Sequence, residues 1–154
     1  MRGLHVTHLI AMLLSLGLVS FVSVRADEAA TPTRVAVPSM KTSIYVGSVT
    51  LKTTIFERSA DSWSATYDAR VFPWAFWSEH GEIAITLAEA DLARLARGET
   101  VNFTGDAKNH KGKPRAVTGR AEPAGSKDGR IKVRIRVDDV ELVFNGHYTL
   151  DPAP

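Results

Sequence analysis

The sequence predicts an all-β, mainly antiparallel fold, a small β-sandwich or β-barrel of about 7–8 strands with one short helix near residues 87–97. Three observations predict it. Apolar residues alternate with polar ones at period two almost throughout from Lys41 onward, the spacing that puts every second side chain on one face of a strand. Consecutive alternating stretches are separated by short turn signals, which favours antiparallel neighbours. Only one segment carries helical spacing. At 154 residues, with 44% hydrophobic and 23% charged residues, the chain has the size and composition of one globular domain.

Met1 to Ala26 reads as a secretory signal. Arg2 and His5 open it, Leu9 to Val22 is almost wholly apolar, and Val24-Arg25-Ala26 predicts a cut before Asp27. The apolar run is shorter than the roughly 20 residues of a bilayer span, so no transmembrane anchor is expected after cleavage, and the expected location is secreted or periplasmic. Two of the 19 Lys and Arg residues, Arg2 and Arg25, lie in that segment, which leaves 17 against 17 Asp and Glu. A basic balance therefore gives no argument for specific nucleic-acid binding. There is no cysteine, which excludes disulfides, thiolate metal sites and Cys nucleophiles. Residues 27–40, mixing Ala, Thr and Pro without periodicity, read as a flexible leader, and residues 41–154 as a single β-rich domain.

Within that domain, Ile44 and Val46 lead to Gly47, which is expected to bend or break a strand. Val49, Leu51, Thr53 and Ile55 then share one face. Trp63, Ala65, Tyr67, Ala69 and Val71 form the inward row of the next strand and pair with the first as a hairpin. Ile83, Ile85 and Leu87 follow Gly81. Thr86 and Glu89 have capping-box spacing, Leu92 and Leu95 recur helically, and Gly98 supplies the stop. Val101 and Phe103, then Ala116 to Ala121, precede Ile131, Val133, Ile135 and Val137, which alternate with Arg130, Lys132, Arg134 and Arg136. Asp138-Asp139 makes the turn into Val140 to Leu150.

That last alternation yields the first candidate site. Arg130, Lys132, Arg134 and Arg136 fall on one side of one strand about 7 Å apart, a line of charge suited to an anionic glycan, a lipid head group or an acidic protein. The bland reading is a solvated face paired to acids such as Glu141, Glu57 or Asp68. The second candidate is the aromatic run Phe72-Pro73-Trp74-Ala75-Phe76-Trp77. Its rings are expected mainly to pack as core against the helix. If exposed, Trp74 and Trp77 supply flat contact surfaces.

Metal and catalytic motifs are lacking: His80, His110 and His147 lie in separate segments, and no nucleophile elbow or phosphate-binding glycine loop occurs. No cofactor, metal or catalytic residue is therefore assigned. The reading is an exported, non-catalytic binding or structural module that meets an anionic surface through the basic strand, with Trp74 and Trp77 as aromatic contacts. One alternative is a carrier holding a small apolar ligand inside a β-barrel, with Phe72, Trp74 and Phe76 at its mouth. Another is a hydrolase-like enzyme, for which Glu79, His80, Glu82 and His147 are the only seeds.

Overall fold

The computed structural model describes residues 31–152. The expected signal segment, 1–26, lies outside them. Ten strands form one antiparallel sheet: β1 (Arg34–Ala36), β2 (Met40–Ile44), β3 (Gly47–Thr53), β4 (Phe56–Ser59), β5 (Ser62–Phe72), β6 (Glu79–Thr86), β7 (Val101–Asn109), β8 (Pro114–Pro123), β9 (Asp128–Val137) and β10 (Val140–Leu150). Strands β5 to β10 pair each with the next, β10 pairs with β1, β1 with β4, and β4 with β5. Those eight strands close a barrel, which resolves the choice between sandwich and barrel. Strands β2 and β3 are the two extra ones, with β3 continuing along the same edge of β5 that β4 occupies.

Closure leaves one face of each strand inside, so the alternation read from the sequence becomes an inside–outside alternation. On β9, Val133 and Ile135 are buried while Arg130, Lys132, Arg134 and Arg136 are exposed. Several local expectations change. Arg34–Ala36, inside the expected leader, is a barrel strand, so the domain begins before residue 41; three residues are too few to show a period. Gly47 does break the first strand, but into a β2–β3 hairpin turned at Tyr45-Val46. Ile55 does not continue the row of Val49 and Leu51. The chain shifts by one residue at Thr54-Ile55, where Thr66 N–H donates to Thr54 Oγ1 at 3.0 Å, and Phe56 takes the inward place.

The helix α1 (Glu89–Ala96) lacks the expected capping box. Ala88 is its N-cap and Thr86 belongs to β6, opposite Ser62 and Thr104; the Glu89 carboxylate accepts from Arg58 and Thr31 instead. Gly98 does end it, at φ +80°. Leu92 and Leu95 are buried, and the helix packs on β7 and β8, closing the barrel end where β6 finishes and β5 begins.

Side-chain size divides the interior into two halves. The closed half, under the helix, holds Phe56, Trp63, Val101, Phe103 and Tyr148, all buried, with Trp63 fully so. The far end of the Phe103 ring lies against Gly119, where a Cβ would come within 2.1 Å of it. Only a void of about 50 Å³ remains there. In the other half the inward rows run to Val49, Ala69, Val71, Ala107, Val137 and Leu142, side chains too small to meet across a barrel.

Candidate functional site

Those small side chains leave a hollow of about 470 Å³ at the open end, within the roughly 300–1,000 Å³ of small-molecule sites. Its walls come from β2, β3 and β5 to β10, its floor from Leu51, Ile83 and Phe144, and its rim from Tyr45, Val46, Trp77 and Val140. Water inside such an apolar chamber finds few hydrogen-bonding partners, so an apolar occupant is favoured over it.

One polar constellation interrupts the apolar wall. Tyr67 on β5, Glu79 on β6, Asn109 on β7 and Arg115 on β8 come from four adjacent strands. Glu79 Oε1 accepts from Tyr67 O–H at 3.1 Å and Arg115 Nε at 3.2 Å, while Oε2 accepts from Asn109 Nδ2 at 2.9 Å and Arg115 Nη2 at 3.0 Å. The fork-on-carboxylate geometry is the strong form of ion pair. The side chains of Arg115 and Glu79 are only 7% and 16% exposed. Burial pushes the Glu79 carboxyl up, but the hydrogen bonds from Arg115, Asn109 and Tyr67 outweigh it and hold the group below the usual carboxylate range. Burial, reinforced by the neighbouring Glu79 charge, pushes the Tyr67 hydroxyl well up, so it stays a neutral donor. Asn109 Oδ1 in turn accepts from Lys111 and Lys113 N–H at 3.0 and 2.9 Å, fixing the β7–β8 turn. At the rim, Arg115 Nη1 donates to Asp138 Oδ1 at 3.3 Å from the β9–β10 turn.

The aromatic run lies at this same open end, opposite the helix, so the expected packing against the helix does not occur. After Phe72 the chain turns through a short 3₁₀ segment, Ala75–Trp77, that buries nothing. Trp74 and Trp77 are 41% and 53% exposed, and with Phe76 they form a cluster with ring centroids 5.3–6.0 Å apart. Trp74 Nε1 donates to Val46 O at 3.2 Å, tying this loop to the β2–β3 turn across the rim. The ring that borders the hollow is Trp77, not Phe72, Trp74 or Phe76.

The basic stripe stands outside the barrel. Arg130 lies 3.4 Å from Glu122, and Arg134 and Arg136 lie 3.7 and 3.8 Å from Glu141, so three of its four charges have acidic neighbours. Lys132 has no ion pair among the described residues, and with Arg120, Arg130, Asn145 and His147 it borders a shallow groove of the outer wall. The enzyme seeds do not converge. Glu79 points inward, His80 stacks on His110 outside with centroids 4.4 Å apart, and His147 belongs to the distant groove. No group of three His, Asp or Glu suited to a metal occurs among the described residues.

Fold and site together define a closed antiparallel barrel, filled but for a small void at its helix-capped end and hollow at the other. Against known protein families, curated proteins and solved structures, the chain gives no match.

Sequence reasoning missed the Tyr67–Glu79–Asn109–Arg115 constellation, although its signal was present. Arg115 has the parity of Val117 and Ala121, Glu79 that of Ile83 and Ile85, and Asn109 that of Phe103 and Ala107. A polar residue at an inward parity on each of three neighbouring strands is the pattern to look for.

Proposed function

We propose that the protein is an exported, non-catalytic carrier that holds one small apolar ligand in the open half of its barrel. The observation that carries this reading is the hollow itself: about 470 Å³ of mostly apolar space opening beside Trp77, in a barrel whose other half is filled. Export rests on the signal-like character of residues 1–26. The reading is tested by titrating the purified chain with dodecanoate, dodecanol and dodecylamine while following tryptophan fluorescence, since Trp77 borders the hollow. Saturable binding is expected with Ala69→Phe abolishing it, because a phenyl group at that position occupies the ligand's space. Full stability with lost binding is the expected pair of results for that variant; unchanged binding would remove the hollow from consideration.

The basic strand supports a second, independent contact. Arg130, Lys132, Arg134 and Arg136, with the nearby groove, present cations on the outer wall that suit an anionic glycan, a lipid head group or an acidic protein. Changing Lys132 and Arg134 together to Glu is expected to abolish salt-sensitive retention on heparin or anionic vesicles while leaving dodecanoate binding intact. Retention that survives the double change would exclude the stripe.

A further inference from the structure

We infer that the hollow takes an apolar chain ending in a carboxylate, and that Asp138 occupies the head-group position on Arg115 until such a ligand replaces it. The inference rests on the carrier reading and adds the chemistry of the ligand. It follows from counting hydrogen-bonding capacity around the one polar patch of the wall. A carboxylate has about four lone-pair sites, and Glu79 already fills four, two on each oxygen, with Tyr67, Asn109 and Arg115. It has nothing left to offer a ligand's donor. A guanidinium has five N–H groups, and Arg115 uses one for each oxygen of Glu79 and one for Asp138. Among the described residues, two N–H groups of a buried guanidinium bordering an apolar hollow therefore remain for an acceptor.

The two anions on Arg115 differ in how firmly they are held. Glu79 is 16% exposed and bonded fourfold. Asp138 is 71% exposed, stands at the tip of the β9–β10 turn and reaches Arg115 through one bond of 3.3 Å. The Asp138 end of the pair is open to water and held by a single long bond, so exchange of Asp138 for a ligand carboxylate gives up little and keeps one anion on the same guanidinium. The ligand gains burial of its chain against Leu51, Ala69, Ile83 and Ala107 at no change in the charge count at Arg115. An alcohol of equal chain length gains the burial without the charge-assisted bond. An amine meets a cation already in place.

The matched ligands dodecanoate, dodecanol and dodecylamine separate these cases in the purified chain at neutral pH. Dodecanoate is expected to bind tightest. Asp138→Gly, which suits the positive φ of 52° at that residue, is expected to tighten dodecanoate about two- to fivefold and to change dodecanol less. Asp138→Asn, which retains a side chain tolerant of the same backbone, should move in the same direction. Equal affinity for acid and alcohol, tightest binding of the amine, or an equal effect of Asp138→Gly on acid and alcohol would each overturn the head-group assignment and leave the carrier reading standing. Binding of none of the three would overturn both.

Discussion

Arg115→Met is expected to destabilise the protein by about 3 kcal/mol, lowering Tm on the order of 10 °C. The reason is not the loss of one ion pair but what is left behind. With the guanidinium gone, the Glu79 carboxylate stays in the wall of the hollow, 16% exposed, with only Tyr67 and Asn109 to donate to it. Breaking a buried pair from one side strands a charge; removing both sides does not. Glu79→Leu combined with Arg115→Met is therefore expected to recover most of the loss, and a double-mutant cycle by chemical denaturation reads the coupling. If the double variant is as unstable as Arg115→Met, the stranded charge is not the cause.

The same account fixes the direction with pH. The folded-state carboxyl of Glu79 lies below its ordinary value, so its share of stability is present above the unfolded carboxylate range, near 4.3, and is lost as pH falls through that range toward the folded value. In Arg115→Met the strongest lowering influence is gone and burial still acts upward, so Glu79 titrates higher and sheds its charge sooner. The stability gap between wild type and variant should be widest near neutral pH and should narrow on acidification. A gap that widens in acid would contradict this assignment.

How far the sequence reached can be judged from the strands. β9 was legible because Ile131 to Val137 alternate without a break, and a closed barrel respects that parity. Helix α1 was legible from Leu92 and Leu95 and from Gly98, but not its cap: Thr86 was held in the β6 ladder, and a short-range signal yielded to long-range pairing. The one-residue shift at Thr54-Ile55 was hidden because a change of parity leaves no trace in composition. The placement of Phe72 to Trp77 is hidden for a related reason. Six residues rich in large rings satisfy a core by hydrophobicity, yet a loop that joins two strands at the open rim has no core to enter. The basic stripe is visible in the sequence because its charges recur at every second residue of one strand, whereas Arg115, in the wall of the hollow, pairs with a residue 36 positions away. Proximity of that kind belongs to the register of β6, β7 and β8 and becomes visible only once the barrel closes.

Phe144→Ala is expected to act on both halves of the barrel at once. The ring is 1% exposed and lies in the floor that separates the hollow from the packed half. Its truncation should cost roughly 3–5 kcal/mol, the range for emptying a buried phenyl site. Binding should change in kind rather than vanish. Leu51 and Ile83 border both the hollow above and the small void below, so loss of the Phe144 ring deepens the chamber toward that void. Each further methylene that enters contributes about 0.8 kcal/mol, so hexadecanoate should gain several-fold on dodecanoate in the variant relative to wild type. Stability and chain-length preference are separate readouts, from denaturation and from ligand titration. A large loss of stability with an unchanged preference would mean that the ligand chain does not run toward the floor. A shift in preference would assign the two ends of the ligand, the acidic one to Arg115 at the rim and the apolar one to Phe144 below. The division of the interior by side-chain size would then be the feature that sets ligand length: Trp63, Phe103 and Tyr148 keep the capped end closed, and Ala69, Ala107 and the valines keep the other end open.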